Sequence, residues 1–304
     1  MRTLDFITAD VFTDRLFGGN PLAVFPDGRG LDDATMQAIA RELNLSETVF
    51  VLPPSDRGHT RDVRIFTPSM ELPFAGHPTI GTAIILAEIG ALEGDGPWSI
   101  VLGEKVGPIP VRIDRPQEGP LFAVLSSARL PEAVADAPPL SILARLLGLP
   151  LEAITRAGSL PAVYSAGVPF TIVPVASRAA LSAIRLDLSV WRAEIAETAS
   201  PHLFPVFMED WQAGRSIHAR MFAPAMGIAE DPATGAAATA LAGFLAARQT
   251  LGTGLTGWNL HQGEDMGRPS LIRIEAETEA GRPHAVRIGG SAVTVSRGTF
   301  RLPG

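Results

Sequence analysis

Two stretches of the chain are apolar on every face. Residues 83–92, "AIILAEIGAL", and 236–247, "AAATALAGFLAA", carry almost no polar side chains. That pattern predicts helices buried on all sides rather than amphipathic surface helices. Around them lie short segments rich in Val, Ile and Phe and punctuated by Gly, Pro and Asp, which read as strands. In the first half these are "LDFITADVF", "LAVFP", "TVFVLP", "DVRIFTP", "WSIVLG", "GPIPVRID" and "LFAVLSS". In the second they are "AVYSAG", "FTIVPVA", "LFPVFME", "SIHARMFAP", "SLIRIEAE" and the long run from His284 to Leu302. Two further helices are amphipathic. Met36, Ile39, Ala40 and Leu43 share one face of a helix over 33–43, and Leu181 and Ile184 mark another.

The pattern repeats. "RIFTP" (64–68) and "RMFAP" (220–224) each lead, through a loop, into an apolar helix that starts at "HPTIG" (77–81) or "DPATG" (231–235). The offsets are 156 residues for the strand (220 − 64) and 154 for the helix start (231 − 77), close to half of the 304-residue chain. Upstream, "GGNPLAVF" (18–25) is echoed by "AGVPFTIV" (166–173). Three matches in one order argue for a duplicated unit. The expected fold is α+β: two pseudo-symmetric halves, each a curved, mostly antiparallel, barrel-like sheet wrapped around a central buried helix. The expected domains are 1–128 and 129–304, joined near the Pro- and Ala-rich stretch 128–140, with the last strand free to cross back to the first domain.

The helix starts carry the candidate chemistry. A helix begins with backbone N–H groups that lack internal partners, and its macrodipole adds partial positive charge. Pro78 and Pro232 suit a first turn. Gly81 and Gly235 permit close approach of a ligand or another backbone. Each start is therefore a candidate cup for a carboxylate or phosphate, and two such cups would face a shared cleft. Glu47, in "NLSETVFV", stands where helix 33–43 gives way to a strand. Val49 and Val51 beside it would partly desolvate its carboxylate, as general acid/base work requires. On the residues alone, Asp231 remains open as a plain N-cap, His77 as a loop-holding histidine and Glu47 as an exposed strand-end acid.

Composition narrows the chemistry. With no Cys there is no disulfide, thiolate zinc site or thiol nucleophile. A net charge of −7 without a basic stripe argues against nucleic acid as a partner. No apolar window is long enough for a membrane span, and the N-terminus lacks the features of a signal peptide, so a cytoplasmic location is expected. Lys105, the only lysine, lies in the apparent turn "GEKVGP", a poor place for a Schiff base. His59, His202, His218, His261 and His284 lack metal-ligand spacing. No glycine run has the strand–GxGxxG–helix context of a dinucleotide site. Neither metal nor organic cofactor is expected.

"DVFTDRLFGGNPLAVF", "NLSETVFV", "FTPSMELPFAGHPTIGTA", "EDPATGAAATALAGFL" and "HQGEDMGRPS", spanning residues 10–270, together resemble the PhzF-like (phenazine biosynthesis) family. That family is similar in fold to diaminopimelate epimerase and proline racemase. The resemblance implies a cofactor-independent isomerase or epimerase, with the active site between the two halves. It would act on a small carboxylate bearing an amino group, as a homodimer. It assigns proton transfer to Glu47, with His77 and Asp231 as catalytic partners. Asn20, Gly76, Thr79, Gly81, Thr234, Gly235, Ala236, Gly263 and Arg268 fall at substrate-binding positions, and Ser270 could line the same cleft. One departure stands out. The phenazine enzyme has serine in the loop that reads "EDPATGAA" here, whereas this chain has Ala236. Two alternatives accompany the isomerase: a catalytically silent small-anion binding protein on the same fold, and a lyase that shares the deprotonation step.

Overall fold

A computed structural model of the chain describes residues 2–155 and 157–302. It is an α+β protein with a mixed sheet, and the chain divides into two compact units. The first holds the residues up to Ser126 and those from Gly289 on; the second is Ser127–Ile288.

The first unit runs β1 (Arg2–Val11), β2 (Asn20–Phe25), α1 (Asp33–Leu43), β3 (Glu47–Leu52), β4 (Arg61–Phe66), β5 (Glu71–Leu72), α2 (Gly76–Glu88), β6 (Trp98–Glu104), β7 (Gly107–Asp114) and β8 (Phe122–Ser126). The expected helix over 33–43 forms with those bounds. Asp32 caps it by accepting from the Thr35 amide at 2.8 Å, and Asn44 ends it in a left-handed conformation, φ 50°. Met36, Ile39 and Ala40 are buried against Phe25, Phe50 and Phe66, with the rings of Phe25 and Phe50 stacked at 4.9 Å. Two connections are crossovers between parallel strands, which a hairpin cannot make. The segment with α1 joins β2 to β3, and the segment with α2 joins β4 to β6. β1 with β2, β3 with β4, β4 with β5, β6 with β7 and β7 with β8 pair antiparallel. Every residue of α2 from Gly76 to Ala87 is buried, and the helix packs on β1, β2, β3, β7 and β8. Ile80, Ile84, Ile85 and Leu86, each at most 1% exposed, contribute about 1.5–3 kcal/mol apiece on burial.

The second unit runs β9 (Glu132–Ala135), α3 (Leu140–Leu147), α4 (Glu152–Thr155), β10 (Ala162–Ser165), β11 (Pro169–Pro174), α5 (Arg178–Ala183), α6 (Leu188–Glu194), β12 (Leu203–Phe207), β13 (Ser216–Ala219), β14 (Met221–Ala223), β15 (Ile228–Asp231), α7 (Gly235–Ala246), β16 (Gly254–Gln262) and β17 (Ser270–Glu279). The last strand, β18 (Arg282–Leu302), starts in this unit and ends in the first, where its residues from Ala292 on pair with β1. Two crossovers again join parallel strands: β11 to β12 through α5 and α6, and β13 to β16 through α7. Helix α7 is built from Ala, Gly, Leu and Phe and packs on β9, β10, β11 and β17.

Three sequence expectations are corrected. The stretch 128–140 contains a strand, β9, paired antiparallel with β10, so it is not simply a linker. "SIHARMFAP" is two strands, interrupted at Arg220. Helix α7 starts later than its sequence implied: its N-cap is Thr234, and Asp231 is the last residue of β15. Pro232 is therefore not in a first turn, and Asp231 is not a helix cap. No helix among the described residues is long and apolar enough to cross a membrane.

Candidate active site

In the first unit the parallel register of β2 and β3 sets Leu22 beside Glu47. Asn20, fully buried, opens β2 and so stands at the same end of the sheet as Glu47. The turn into β2 depends on Gly19 at φ +60°, where a Cβ would lie 2.2 Å from the Val11 carbonyl oxygen. Glu47 is 8% exposed and His77 5%, so Glu47 is not an exposed strand-end acid. His77 belongs to the first turn of α2 and brings its Nε2 to 2.9 Å from Glu47 Oε2. The two groups are within ion-pair distance, although their alignment is not that of a hydrogen bond.

The start of α2 has no side chain closing it off. Its N-cap, Ala75, has no side-chain cap. Pro78 lacks an N–H, and the Thr79 amide already donates to the Ala75 carbonyl at 3.3 Å. The Gly76 and His77 amides lead the helix, at the positive end of its dipole. Two residues expected at the ligand face inward instead. Gly81 packs against the sheet, since a Cβ there would meet Leu22 Cδ2 at 2.5 Å and Val11 Cγ2 at 2.6 Å. Thr79, fully buried, has its Oγ1 2.6 Å from both the Ala75 carbonyl and Glu104 Oε1. Burial pushes the Glu104 carboxyl up to about 8, against the opposing pull of Thr79 and the Ala75 amide. Glu104 closes β6 within "GEKVGP". A sequence reading takes that as an exposed turn, and nothing in its pattern announces a buried acid.

In the second unit a polar knot holds the approach to α7. Asp231, 8% exposed, accepts from Thr234 Oγ1 through Oδ2 at 2.5 Å. Gln262, the fully buried last residue of β16, fastens both ends of the loop. Its Nε2 donates to the Asp231 carbonyl at 2.7 Å and to Thr234 Oγ1 at 3.0 Å, and its Oε1 accepts from the Thr234 amide at 3.2 Å. Gly235 is buried and the neighbouring Ala236 is partly exposed. Gly263 follows at φ +74°, with the Pro232 and Arg268 carbonyl oxygens where a Cβ would go. Ser270 donates to the Arg268 carbonyl at 3.1 Å and so holds that turn. Arg178 braces the segment from outside through Glu264 at 3.2 Å and Asp265 at 3.0 Å. Gln262 lies within the motif "HQGEDMGRPS", yet its part in the knot needs the coordinates. Among the described residues, no group of three or more His, Asp or Glu is placed to hold a metal ion.

The chain is similar to known proteins along nearly its whole length. The family model described as phenazine biosynthesis-like protein matches residues 9–298. An uncharacterized isomerase of Mesorhizobium japonicum is 44% identical, over 98% of this chain and 99% of that protein. The trans-2,3-dihydro-3-hydroxyanthranilate isomerase of Pseudomonas aeruginosa is 37% identical, over 98% and 99%. Among solved structures, the Bacillus anthracis phenazine biosynthesis protein of the PhzF family superposes with a TM-score of 0.88 at 25% identity, covering 99% of this chain and all of that one. With the match running nearly end to end, the chain belongs to the phenazine biosynthesis-like (PhzF) family and is an isomerase.

Proposed function

We propose that this isomerase moves a proton between two carbons of a small amino-bearing carboxylate by acid/base catalysis, without a cofactor. Glu47 takes the proton from one carbon and returns it to another, so the product has the mass of the substrate. His77 orients the Glu47 carboxylate and steadies whichever protonation state it holds. The amides of Gly76 and His77 bind the substrate carboxylate and the negative charge that develops as the proton leaves. Asp231, held by Thr234 and Gln262, is taken as the second catalytic acid, as the family likeness implies. The observation that carries this reading is the buried contact of 2.9 Å between Glu47 and His77 at an anion-binding helix start.

The two units are read as copies of one design. In each, an arginine grips a glutamate through Nε and Nη2: Arg64 with Glu71 and Arg220 with Glu230, all at 2.7–2.8 Å. In each, the same arginine lies over a phenylalanine two residues on, at 5.1 Å for Phe66 and 4.9 Å for Phe222. The buried helix of each copy is taken as its centre. The enzyme is placed in the cytoplasm and as a homodimer. The Pseudomonas aeruginosa relative's name supplies the substrate class, an amino carboxylate on a partly unsaturated ring. Ala236, where the phenazine enzyme has serine, argues that the ligand itself differs.

The deciding experiment follows substrate hydrogen in deuterated water across a panel of amino and hydroxy carboxylates. Incorporation of deuterium without change of skeleton, lost in Glu47→Gln, is the expected result. Incorporation that survives in Glu47→Gln removes Glu47 from its role.

A further inference from the structure

Thr79 has one hydroxyl hydrogen, yet its Oγ1 lies 2.6 Å from two oxygens at once, the Ala75 carbonyl and Glu104 Oε1. Two oxygens that close repel unless a hydrogen lies between them, so the two contacts need two hydrogens. A carbonyl oxygen only accepts. Thr79 therefore supplies the hydrogen toward Ala75, and the other must come from Glu104. We propose that Glu104 is a proton-bearing acid that donates to Thr79 and so positions the first turn of α2 without adding a negative charge to it.

The chemistry of the surroundings agrees. Glu104 is 8% exposed, and burial is the leading cause that holds its carboxyl up, at about 8. The titratable groups on the neighbouring elements are His77 and Glu88 on α2, Arg61, Asp62 and Arg64 on β4 with His59 just before it, Glu71 on β5, Arg112 and Asp114 on β7, and Lys105 after β6. Three of them are engaged with one another, since Glu71 takes both Arg64 at 2.7 Å and Lys105 at 2.5 Å. His59 and Asp62 pair at 2.7 Å. None of these is among the causes of the Glu104 shift.

Neutrality matters because of what this turn does, a point that rests on the anion-binding reading above. A carboxylate held at this turn by Thr79 and the Ala75 amide would act as a built-in anion and repel the ligand's own carboxylate. As pH rises through about 8 that charge appears, and capture weakens while the proton transfer by Glu47 proceeds as before. Glu104 is a positioning residue: it acts through Thr79 and the helix start.

The test has two arms. The first titrates the protein uniformly labelled with carbon-13 at glutamate carboxyls, beside Glu104→Gln for assignment, or Glu104→Asp should the glutamine variant not fold. Expected is one carboxyl resonance, absent from the variant, that stays protonated at neutral pH and titrates near 8. A Glu104 resonance that titrates in the ordinary carboxylate range overturns the proposal. The second arm measures binding of anthranilate, an amino carboxylate, against pH. Wild-type affinity falls about tenfold across the alkaline transition, Glu104→Gln stays flat because its amide still donates to Thr79, and Glu104→Leu binds weakly throughout. A parallel alkaline loss in wild type and Glu104→Gln also overturns the proposal. Failure of anthranilate to bind at any pH counts against the anion cup, whereas the carboxyl titration alone then upholds or overturns the proton on Glu104.

Discussion

Glu47 Oε2 and His77 Nε2 stand 2.9 Å apart, one on the first residue of a strand and the other in the first turn of a helix, and both are shut away from water. Glu47→Gln keeps the volume and hydrogen-bonding shape of the side chain and removes only its capacity to take a proton. The expected outcome is a fall of about 10²- to 10⁴-fold in the rate of solvent hydrogen exchange, with an unchanged thermal midpoint. His77→Asn should weaken turnover less and change its pH dependence. Exchange rates and melting curves on the same preparations check both; a large drop in melting temperature for Glu47→Gln would make the residue structural.

Gln262 is the residue on which the Asp231 loop depends. All three of its hydrogen bonds are made inside the second unit, and the side chain is fully buried. Replacing it by Leu leaves the Asp231 carbonyl and the Thr234 amide without their partner, at about 1–3 kcal/mol for each group left unsatisfied. Glu at this position is expected to be worse, because a carboxylate cannot donate to a carbonyl and would add charge beside Asp231. Denaturant titration of the two variants gives the ranking. A Glu variant as stable as wild type would refute it.

The parts of this molecule legible in the sequence are those that repeat a simple pattern. Helices α2 and α7 announce themselves by being apolar all round, and α1 by its spacing of Met36, Ile39 and Ala40. Glu47 and His77 stand out in the sequence because their motifs are distinctive. What escaped depends on contacts between distant segments. Strand β16 is interrupted by Gly257 and carries Asn259, His261 and Gln262, so its alternation is weak, and only its pairing with β13 and β17 makes it a strand. The start of α7 was placed three residues early because Asp-Pro is a good opening for a helix. Here Asp231 pairs with Met221 at the end of β15, and the helix waits for Thr234. The packing of Gly81 and Thr79 is hidden from the sequence for a related cause. Sequence shows that glycine permits close approach but not what approaches, which here is Leu22 and Val11.

The two arginine–glutamate grips differ in how replaceable they are. Arg220 is 7% exposed and also donates to the Leu181 and Ile184 carbonyls, at 3.2 and 3.0 Å. Removing it strands Glu230 and two carbonyls, and Arg220→Met should cost about 3–5 kcal/mol. Arg64 is more open, and its partner Glu71 keeps Lys105 at 2.5 Å when the guanidinium is gone. Arg64→Met should cost closer to about 1 kcal/mol. Equal losses in urea unfolding would contradict the argument that burial and a second cation separate the two.

Gly263→Ala tests how tightly the turn after β16 is tied to the Asp231 loop. The residue sits at φ +74°, and an added Cβ would lie 2.4 Å from the Arg268 carbonyl oxygen and 2.7 Å from that of Pro232. Both neighbours are backbone and cannot rotate away. A left-handed non-glycine residue alone costs about 1–3 kcal/mol, and the clash adds to it by displacing Pro232, the residue after Asp231. The variant is expected to lose stability and ligand affinity together. A variant with full affinity and lowered stability would detach this turn from the site.

Stability as a function of pH gives a separate reading of Glu104, one that involves no ligand. Its carboxyl titrates at about 8 in the folded chain and at the ordinary 4.5 when unfolded. Below 4.5 both states hold the proton, and the burial of a neutral acid costs nothing extra. Between 4.5 and about 8 the unfolded chain has released its proton and the folded chain has not. The folded state then binds more protons, so stability must fall as pH rises, by up to about 1.4 kcal/mol per pH unit. Above about 8 both states are ionised and the slope vanishes. Glutamine carries no such proton. Glu104→Gln should therefore match wild type near pH 4 and become progressively more stable than wild type toward pH 8, the gap levelling off beyond. Urea unfolding of both proteins across pH 4–9 measures the gap directly, and a gap that stays constant over that range would mean that Glu104 is already a carboxylate in the folded protein.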